Sequence, residues 1–157
     1  MNIAVVGTGY VGLVSGTCLS ETGNNVVCVD IDADKVKRLQ SGQIPIYEPG
    51  LEVIFQRNIK EGRLHFTTDL EQAIKDVTLI FLALPTPPGE DGSADLSYVL
   101  GVAEQLGKIM KDYKVIINKS TVPVGTAERT KAAIAKNATA EFDVVSNPEF
   151  LREGVAV

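Results

Sequence analysis

The chain has 157 residues, 45% hydrophobic and 22% charged, so it is long enough to bury a substantial core and has the composition of an ordinary globular domain. Its formal net charge of -5 argues against a nucleic acid or an anionic membrane surface as a partner, because both select for basic proteins. No stretch approaches the roughly 20 apolar residues that cross a bilayer. His65, Cys18 and Cys28 give neither a metal-ligand spacing nor a disulfide framework, which favours a cytoplasmic protein without a bound metal.

Short β-rich runs alternate with amphipathic segments along the whole chain. In chain order, strands are predicted at residues 3–6, 25–29, 64–67, 77–82, 115–118 and 142–145. Helices are predicted between them at residues 11–22, 33–40, 51–61, 70–75, 96–111 and 126–136. The strands are nearly continuous in Val, Ile and Leu, as strands buried on both faces require. The alternation therefore predicts an α/β fold, a doubly wound and mostly parallel sheet of about six strands with helices on both faces.

Two of the predicted connections are too long to be simple turns. Residues 41–50 contain two prolines, and residues 83–95 contain three prolines and two glycines. The second connection follows a parallel strand, so it lies at the carboxyl edge of the sheet, where ligands bind in such folds. The last residues, 152–157, have no polar, disordered character. We therefore expect this chain to be one domain of a longer protein.

Residues 7–12 read GTGYVG and have the G-x-G-x-x-G spacing between the first predicted strand and the first predicted helix. Gly7 permits a tight turn, Gly9 leaves room for a pyrophosphate, and Gly12 lets the helix pack closely on the strand. The phosphates then meet free amides at the positive end of the helix dipole. The hexapeptide alone is a weak signal, because glycine-rich turns also occur for purely structural reasons.

Asp30 ends the second predicted strand, at the distance from the glycine motif where an acidic side chain accepts hydrogen bonds from the adenosine ribose. A carboxylate there also repels a 2′-phosphate, so the combination predicts NAD rather than NADP. The structural alternative is that Asp30 caps the following helix, although Asp32 could do so instead. Lys35, one turn into that helix, could reach the ribose or a phosphate, or could be a solvated helix residue.

Two further segments follow predicted strands. Residues 119–126 read KSTVPVGT, and a hydroxyl such as that of Thr121 can orient a ligand or a water, although helix capping is the commoner use. Residues 147–154 read NPEFLREG, and Glu149 there could be a general base or an ordinary surface residue. Cys18 and Cys28 fall in the first helix and the second strand, where inert core positions are expected.

Five motifs, taken together and in this order, resemble the UDP-glucose/GDP-mannose dehydrogenase family. They are the glycine motif with Tyr10 and Val11, PIYEPGL at 45–51, Thr86-Pro87 with DGSADL at 91–96, KSTVPVGT at 119–126 and NPEFLREG at 147–154. The last two are quite specific. The resemblance covers essentially all of the chain and implies that residues 1–157 form the N-terminal, NAD-binding Rossmann domain of such an enzyme.

The resemblance implies roles for the residues at matching positions. Contacts with the NAD site are implied for Gly7, Gly9, Tyr10, Val11, Gly12, Asp30, Lys35, Thr86, Thr121 and Glu153. Thr121 and Glu149 are implied to hold and activate a water, with Glu149 as the general base. The sugar nucleotide is implied to lie along Glu149, Phe150, Leu151, Arg152 and Glu153.

The activity implied by the resemblance is a four-electron oxidation of UDP-glucose to UDP-glucuronate, which uses two NAD⁺ and one water. A cysteine thiolate forms a thiohemiacetal that loses hydride to give a thioester, and water then cleaves the thioester. In this family the cysteine comes from the C-terminal half, together with a lysine and an asparagine that stabilise the oxyanion. We therefore expect the 157 residues to bind NAD without turnover, in a parent protein that forms a homodimer and shares UDP-glucose between its two halves.

Three alternatives remain open at this stage. The same family contains enzymes that oxidise GDP-mannose or UDP-N-acetylhexosamines, and most residues that recognise the base lie outside this part. The third alternative is a non-catalytic NAD-sensing module. Such a module would explain residues 7–12 and Asp30, but it would leave residues 119–126 and 147–154 without a purpose.

Overall fold

The computed structural model of the chain describes residues 1–89 and 92–157; Asp91, the first residue of the DGSADL motif, lies outside the described residues. The strands are β1 (Asn2–Val6), β2 (Asn25–Val29), β3 (Leu64–Thr67), β4 (Leu79–Leu82), β5 (Lys114–Asn118) and β6 (Phe142–Ser146). The helices are α1 (Tyr10–Glu21), α2 (Ala33–Gln40), α3 (Leu51–Lys60), α4 (Leu70–Ile74), α5 (Ser97–Ile109) and α6 (Thr126–Ala135). Each helix in these ranges is too short or too polar to span a bilayer.

The six strands form one parallel sheet in the order β3-β2-β1-β4-β5-β6, which confirms the predicted doubly wound α/β fold. The order reverses between β1 and β4, because β2 and β3 extend the sheet on one side and β4 to β6 extend it on the other. The register pairs Val6 with Val29 and with Leu82, and it pairs Leu82 with Asn118. The carboxyl ends of β1, β2, β4 and β5 therefore finish level with one another at one edge of the sheet.

Helices cover the sheet on both faces. Along β1, Ile3 and Val5 point into one hydrophobic cluster, whereas Ala4 and Val6 point into the other. Helices α1, α2 and α3 complete the first cluster, and α4, α5 and α6 complete the second. A strand covered in this way must be apolar at nearly every position, which explains the continuous Val, Ile and Leu content of these segments.

All element bounds agree with the sequence predictions to within two residues. The largest shift at a strand start is that of β4, which begins at Leu79 and not at Val77. Val77 is buried, but its N–H bonds back to the Ile74 carbonyl at 3.5 Å, and its own carbonyl accepts a hydrogen bond from Lys114 Nζ at 2.6 Å. The backbone groups of Val77 are therefore bonded to the Ile74 carbonyl and to a lysine side chain instead of to the backbone of a neighbouring strand, which an apolar sequence pattern does not reveal.

Candidate functional site

A crevice of about 620 Å³ opens at the carboxyl edge of the sheet, between the ends of β1 and β4. The strand order reverses at this point, and ligands bind at such points in doubly wound folds. The walls come from the loops that follow β1, β2, β4 and β5. They include these residues expected to contact a dinucleotide: Gly7, Gly9, Tyr10, Val11, Asp30, Lys35, Thr86 and Thr121. The fold therefore gathers residues from widely separated parts of the chain at one cavity.

The three glycines of residues 7–12 have different surroundings. Gly7 has a φ of 101°, and a Cβ there would lie 2.2 Å from the Ala83 carbonyl oxygen. At Gly12 a Cβ would lie 1.9 Å from the Gly7 carbonyl oxygen, so this glycine lets α1 pack against the loop. At Gly9 a Cβ would meet no atom within 4 Å, because the space above it is open. Gly7 and Gly12 therefore serve packing, whereas Gly9 leaves a free approach to the start of α1.

The start of α1 presents backbone amides to the crevice. Gly9 is the N-cap of this helix, and no side chain in the described part of the chain caps it. The first bond of the helix runs from the Leu13 N–H to the Gly9 carbonyl at 2.9 Å, so the amides before Leu13 have no partner within the helix. Amides at the positive end of a helix dipole bind phosphate.

Asp30 lies at the end of β2 with both carboxylate oxygens hydrogen-bonded. Oδ2 accepts from the Thr8 N–H at 3.1 Å, from the Thr8 hydroxyl and from Lys35 Nζ at 2.9 Å. Oδ1 accepts from the Asp32 N–H at 3.1 Å. Burial alone would raise the pKa of Asp30, but the hydrogen bonds from Thr8, Asp32 and Lys35 outweigh it and hold the pKa below its usual value. Asp30 is therefore ionised at neutral pH and able to accept from a ribose hydroxyl.

Asp32, and not Asp30, caps α2. Its carboxylate accepts from the N–H groups of Asp34 and Lys35, both at 3.0 Å. The alternative in which Asp30 serves only as a helix cap is therefore wrong. Lys35 is not a solvated helix residue either, because its side chain is 23% exposed and its ammonium group pairs with Asp30.

Thr86 and Thr121 meet where the loops after β4 and β5 come together. The Thr86 hydroxyl donates to the Thr121 backbone carbonyl at 2.9 Å. Ser120 fixes the same two loops, since its hydroxyl donates to the Leu84 carbonyl at 2.8 Å and accepts from the Leu84 N–H at 2.9 Å. The N-cap of α6 is Gly125, so the alternative in which Thr121 caps this helix is wrong.

Residues 147–157 carry the expected catalytic and substrate-binding side chains and form neither helix nor strand. The Glu149 carboxylate accepts a hydrogen bond from the Leu151 N–H. The remaining side chains of the expected substrate-binding set are exposed or partly exposed: Phe150, Leu151, Arg152 and Glu153. Within the described residues no hydrogen bond joins Thr121 to Glu149, so a water held between them stays a prediction.

Glu48 links this segment to the crevice. Its Oε2 accepts from the Tyr10 hydroxyl at 2.7 Å and from the Gly154 N–H at 2.8 Å, and its Oε1 accepts from the Ala156 N–H at 2.9 Å. In the sequence Glu48 stands out only as the acid of the PIYEPGL motif. Its role escapes local pattern analysis because Ala156 is 108 positions away.

Neither cysteine lines the crevice. Cys28 is fully buried in β2, and burial raises the pKa of its thiol to about 12. Cys18 lies in α1 and is partly buried, and burial again raises the pKa of its thiol. Both are therefore poor nucleophiles. Among residues 1–89 and 92–157, no group of three or more His, Cys, Asp or Glu side chains could hold a metal ion.

The residues at the crevice fit a dinucleotide. The open space above Gly9 and the uncapped start of α1 suit a pyrophosphate. The ionised Asp30 carboxylate suits a ribose hydroxyl and disfavours a 2′-phosphate. Lys35 does not reverse this preference, because its charge is paired with Asp30 at 2.9 Å.

Comparison with known proteins agrees with this geometry. The whole chain, residues 1–157, matches the NAD binding domain of the UDP-glucose/GDP-mannose dehydrogenase family. It is 53% identical to the UDP-glucose 6-dehydrogenase TuaD of Bacillus subtilis, over 99% of this chain and 34% of that protein.

Two solved structures resemble the chain closely. A UDP-glucose dehydrogenase from the hyperthermophilic archaeon Pyrobaculum islandicum has a TM-score of 0.93 and 42% identity, over 98% of this chain and 37% of that one. A GDP-mannose dehydrogenase from Pseudomonas aeruginosa has a TM-score of 0.89 and 36% identity, over 99% of this chain and 38% of that one. The chain thus spans about a third of the length of these relatives. Because the family match covers every residue, the chain belongs to the UDP-glucose/GDP-mannose dehydrogenase family, as its NAD-binding domain.

Proposed function

We propose that this domain belongs to an enzyme that oxidises UDP-glucose to UDP-glucuronate with two NAD⁺ and one water. The observation that carries the proposal is the hydrogen-bonded link that Glu48 forms between Tyr10 of the crevice wall and residues 147–157, the segment that carries Glu149 and Glu153. The higher identity to a UDP-glucose enzyme, 53% against 36% for a GDP-mannose enzyme, supports UDP-glucose as the substrate.

On the cofactor side, the chain's residues would bind the two ends of NAD⁺ at opposite ends of the crevice. The amides of α1 would hold the pyrophosphate, and Asp30 would accept hydrogen bonds from the adenosine ribose. Thr121 follows β5, which is separated from β2 by β1 and β4. Three strand spacings of about 4.8 Å place it roughly 14 Å from Asp30 along the sheet. Thr86 and Thr121 would therefore lie toward the nicotinamide, and we propose that Glu153 approaches the same side of the cofactor.

On the substrate side, the oxidation removes four electrons from a primary alcohol and adds one oxygen from water. Bound NAD⁺ would supply the acceptor for one hydride in each of the two oxidations. Glu149 would take the proton from the water that cleaves the thioester, with Thr121 helping to hold that water. The sugar nucleotide would lie along residues 149–153. The proposed thiolate nucleophile is a cysteine outside these 157 residues, since burial raises the pKa of both Cys18 and Cys28.

The test begins with calorimetric titration of the 157-residue chain with NAD⁺ and NADP⁺. NAD⁺ should bind selectively, and Asp30→Ala should weaken binding about ten- to hundredfold, because a hydrogen bond to a charged group contributes about 1.5–3 kcal/mol. Asp34→Ala is the matched control, since Asp34 lies exposed in the first turn of the adjacent helix α2. Equal binding of NADP⁺, or equal effects of the two substitutions, would contradict the assignment of Asp30.

The substrate is tested in the intact protein, with UDP-glucose, GDP-mannose and UDP-N-acetylmannosamine compared under the same conditions. UDP-glucose should be preferred and should yield two NADH for each UDP-glucuronate formed. A higher kcat/KM for either of the other sugars would replace UDP-glucose with that substrate. Formation of UDP-glucuronate by the 157-residue chain alone would contradict a nucleophile located elsewhere.

A further inference from the structure

Glu48 is a buried carboxylate that the proposed function does not use. It is 4% exposed and lies in the connection between α2 and α3. No ion pair with Lys, Arg or His forms at Glu48 among the described residues. Buried carboxylates are costly unless they are fully hydrogen-bonded. The hydrogen-bond donors to Glu48 therefore indicate what this buried carboxylate holds in place.

The three donors to Glu48 come from two distant parts of the chain. The Tyr10 hydroxyl belongs to the first turn of α1 and lines the crevice. The N–H groups of Gly154 and Ala156 belong to residues 147–157 and reach one carboxylate oxygen each. The same connection meets the end of this segment again at Gly50, where a Cβ would lie 3.6 Å from Val157 Cγ1.

Packing contributes little to holding residues 147–157 in place. Phe150 is 86% exposed, Val155 is 68% exposed and Leu151 is only partly buried, so none of these apolar side chains is fully buried in this domain. Other backbone bonds fix only parts of it, from the Asn147 N–H to Asn118 and from the Val155 N–H to Arg152. The hydrogen bonds to Glu48 are therefore the main attachment of its distal part to the crevice wall.

The pKa values of Tyr10 and Glu48 keep each group in a single protonation state near neutral pH. Burial and the hydrogen bond to Glu48 raise the pKa of Tyr10 to about 12, and the charges of Glu153 and Glu149 add to the rise. Tyr10 is therefore a permanent donor. The hydrogen bonds from Tyr10, Ala156 and Gly154 in turn hold the pKa of Glu48 below its usual value. Glu48 is thus an ionised acceptor with neutral donors on both of its oxygens.

We propose that Glu48 is a positioning residue, which fixes Glu149 and Glu153 beside the cofactor crevice by holding the backbone at Gly154 and Ala156. This role rests on the proposed function of that segment. Glu48 touches neither cofactor nor substrate in this role; it acts through the segment it holds. The connection between α2 and α3 then contributes to the reaction although it lies outside the crevice.

The direct test is amide hydrogen exchange by NMR on the 157-residue chain. In the wild-type chain the amides of Gly154 and Ala156 should be protected, whereas an unprotected pair would overturn the proposal without any variant being made. In Glu48→Gln, one carboxylate oxygen becomes an NH₂ group, which must face a donor. One backbone bond is lost, so exchange at Gly154 or Ala156 should speed up about ten- to hundredfold. The strand amides of β1 should not change.

The functional readout is kcat/KM for UDP-glucose in the intact protein, compared with the Kd for NAD⁺ of the folded chain. Glu48→Gln should lower kcat/KM for UDP-glucose at least about tenfold, while the Kd for NAD⁺ of the folded chain changes less than about threefold. Tyr10→Phe, which keeps both backbone bonds, should have the smaller effect on exchange at Gly154 and Ala156. A uniform rise in exchange over the whole chain, or an unchanged kcat/KM, would overturn the positioning role. A wild-type protein that is inactive on UDP-glucose would instead contradict the proposed function. The exchange rates at Gly154 and Ala156 would still test whether Glu48 holds the segment.

Discussion

Thr8 lies between two glycines of residues 7–12, and the residue is 1% exposed. Its N–H and its hydroxyl both donate to Asp30, at the end of the neighbouring strand. The turn that leads to the phosphate site therefore also fixes the carboxylate that would meet the ribose. Groups held in place before the ligand arrives cost less conformational entropy on binding.

Asp30→Asn is expected to destabilise the fold at neutral pH and to matter less in acid. The pKa of Asp30 in the folded chain lies below its ordinary value of 3.8. The ionised carboxylate therefore contributes stability above that ordinary value, and the contribution is lost as the pH falls through the lowered pKa. The variant leaves Lys35 without its charged partner and should cost about 1–3 kcal/mol at pH 7. The check is urea unfolding of the wild-type and Asp30→Asn chains between pH 7 and pH 2.5. The difference between their free energies of unfolding should shrink as the pH falls.

The matched control for this series is Asp34→Asn. Asp34 is exposed and pairs with Lys37 at 3.8 Å in solvent, so its loss should cost at most about 1 kcal/mol. If the free energies of unfolding of wild type and Asp30→Asn differ by the same amount from pH 7 down to pH 2.5, the charge of Asp30 is not what stabilises the fold.

The candidate site could be predicted best from the sequence where residues lie in the segments that follow parallel strands. Asp30 follows β2, and Thr86 and Thr121 lie in the loops after β4 and β5, so the parallel topology alone brings them to one edge. Thr8 and Glu48 escape such reasoning, because their partners lie 22 and up to 108 positions away. Contacts of that span depend on how loops fold back, which no local pattern encodes.

At the scale of the helices, α5 and α6 meet at a position where only glycine fits. A Cβ at Gly107 of α5 would lie 2.3 Å from the carbonyl oxygen of Ile134 in α6. Gly107→Ala is therefore expected to force the two helices apart and to lower the free energy of unfolding by about 1–3 kcal/mol, as measured by urea denaturation.

Gly101 provides an internal comparison on the same helix. A Cβ there would meet no atom within 4 Å, and the residue is exposed. Gly101→Ala should therefore stabilise the fold by about 0.5–1 kcal/mol, through helix propensity alone. If both substitutions change stability in the same direction, close packing at Gly107 is not the cause.

The helices and strands themselves were largely predictable. Strands buried on both faces are apolar throughout, and helices such as α2 and α3 carry an apolar stripe, so most elements can be located from periodicity. The start of β4 was not predictable in this way. Lys114 engages the Val77 carbonyl across the sheet, and only the folded chain brings these two residues together.

At the scale of the whole molecule, the crevice is formed by β1, β2, β4 and β5, which belong to both halves of the sheet. NAD⁺ should therefore stabilise the entire fold. At one hundred times its Kd, the free energy of unfolding should rise by about 2.7 kcal/mol. Gly9→Ala should remove most of this increase without destabilising the unliganded chain, because a Cβ there meets no protein atom but occupies the open approach to α1.

Gly12→Ala is the comparison that distinguishes a loss of stabilisation by NAD⁺ from a loss of packing. Its Cβ would lie 1.9 Å from a backbone oxygen, so the unliganded chain should lose about 1–3 kcal/mol or more. Thermal or urea unfolding with and without NAD⁺ measures both variants. Full ligand-dependent stabilisation in Gly9→Ala would mean that the phosphates bind elsewhere.

The central place of β1 also sets an order for synthesis. Of these six strands β1 is synthesised first, yet its two neighbours are β2 and β4, which end at Val29 and Leu82. While residues between these two points are being translated, β1 can pair on one side only and presents an apolar, unpaired edge on the other. Such edges are templates for pairing with other chains. We therefore expect a nascent chain to be most prone to aggregation during this interval, and a pause there to be more harmful than a pause after β4 is complete.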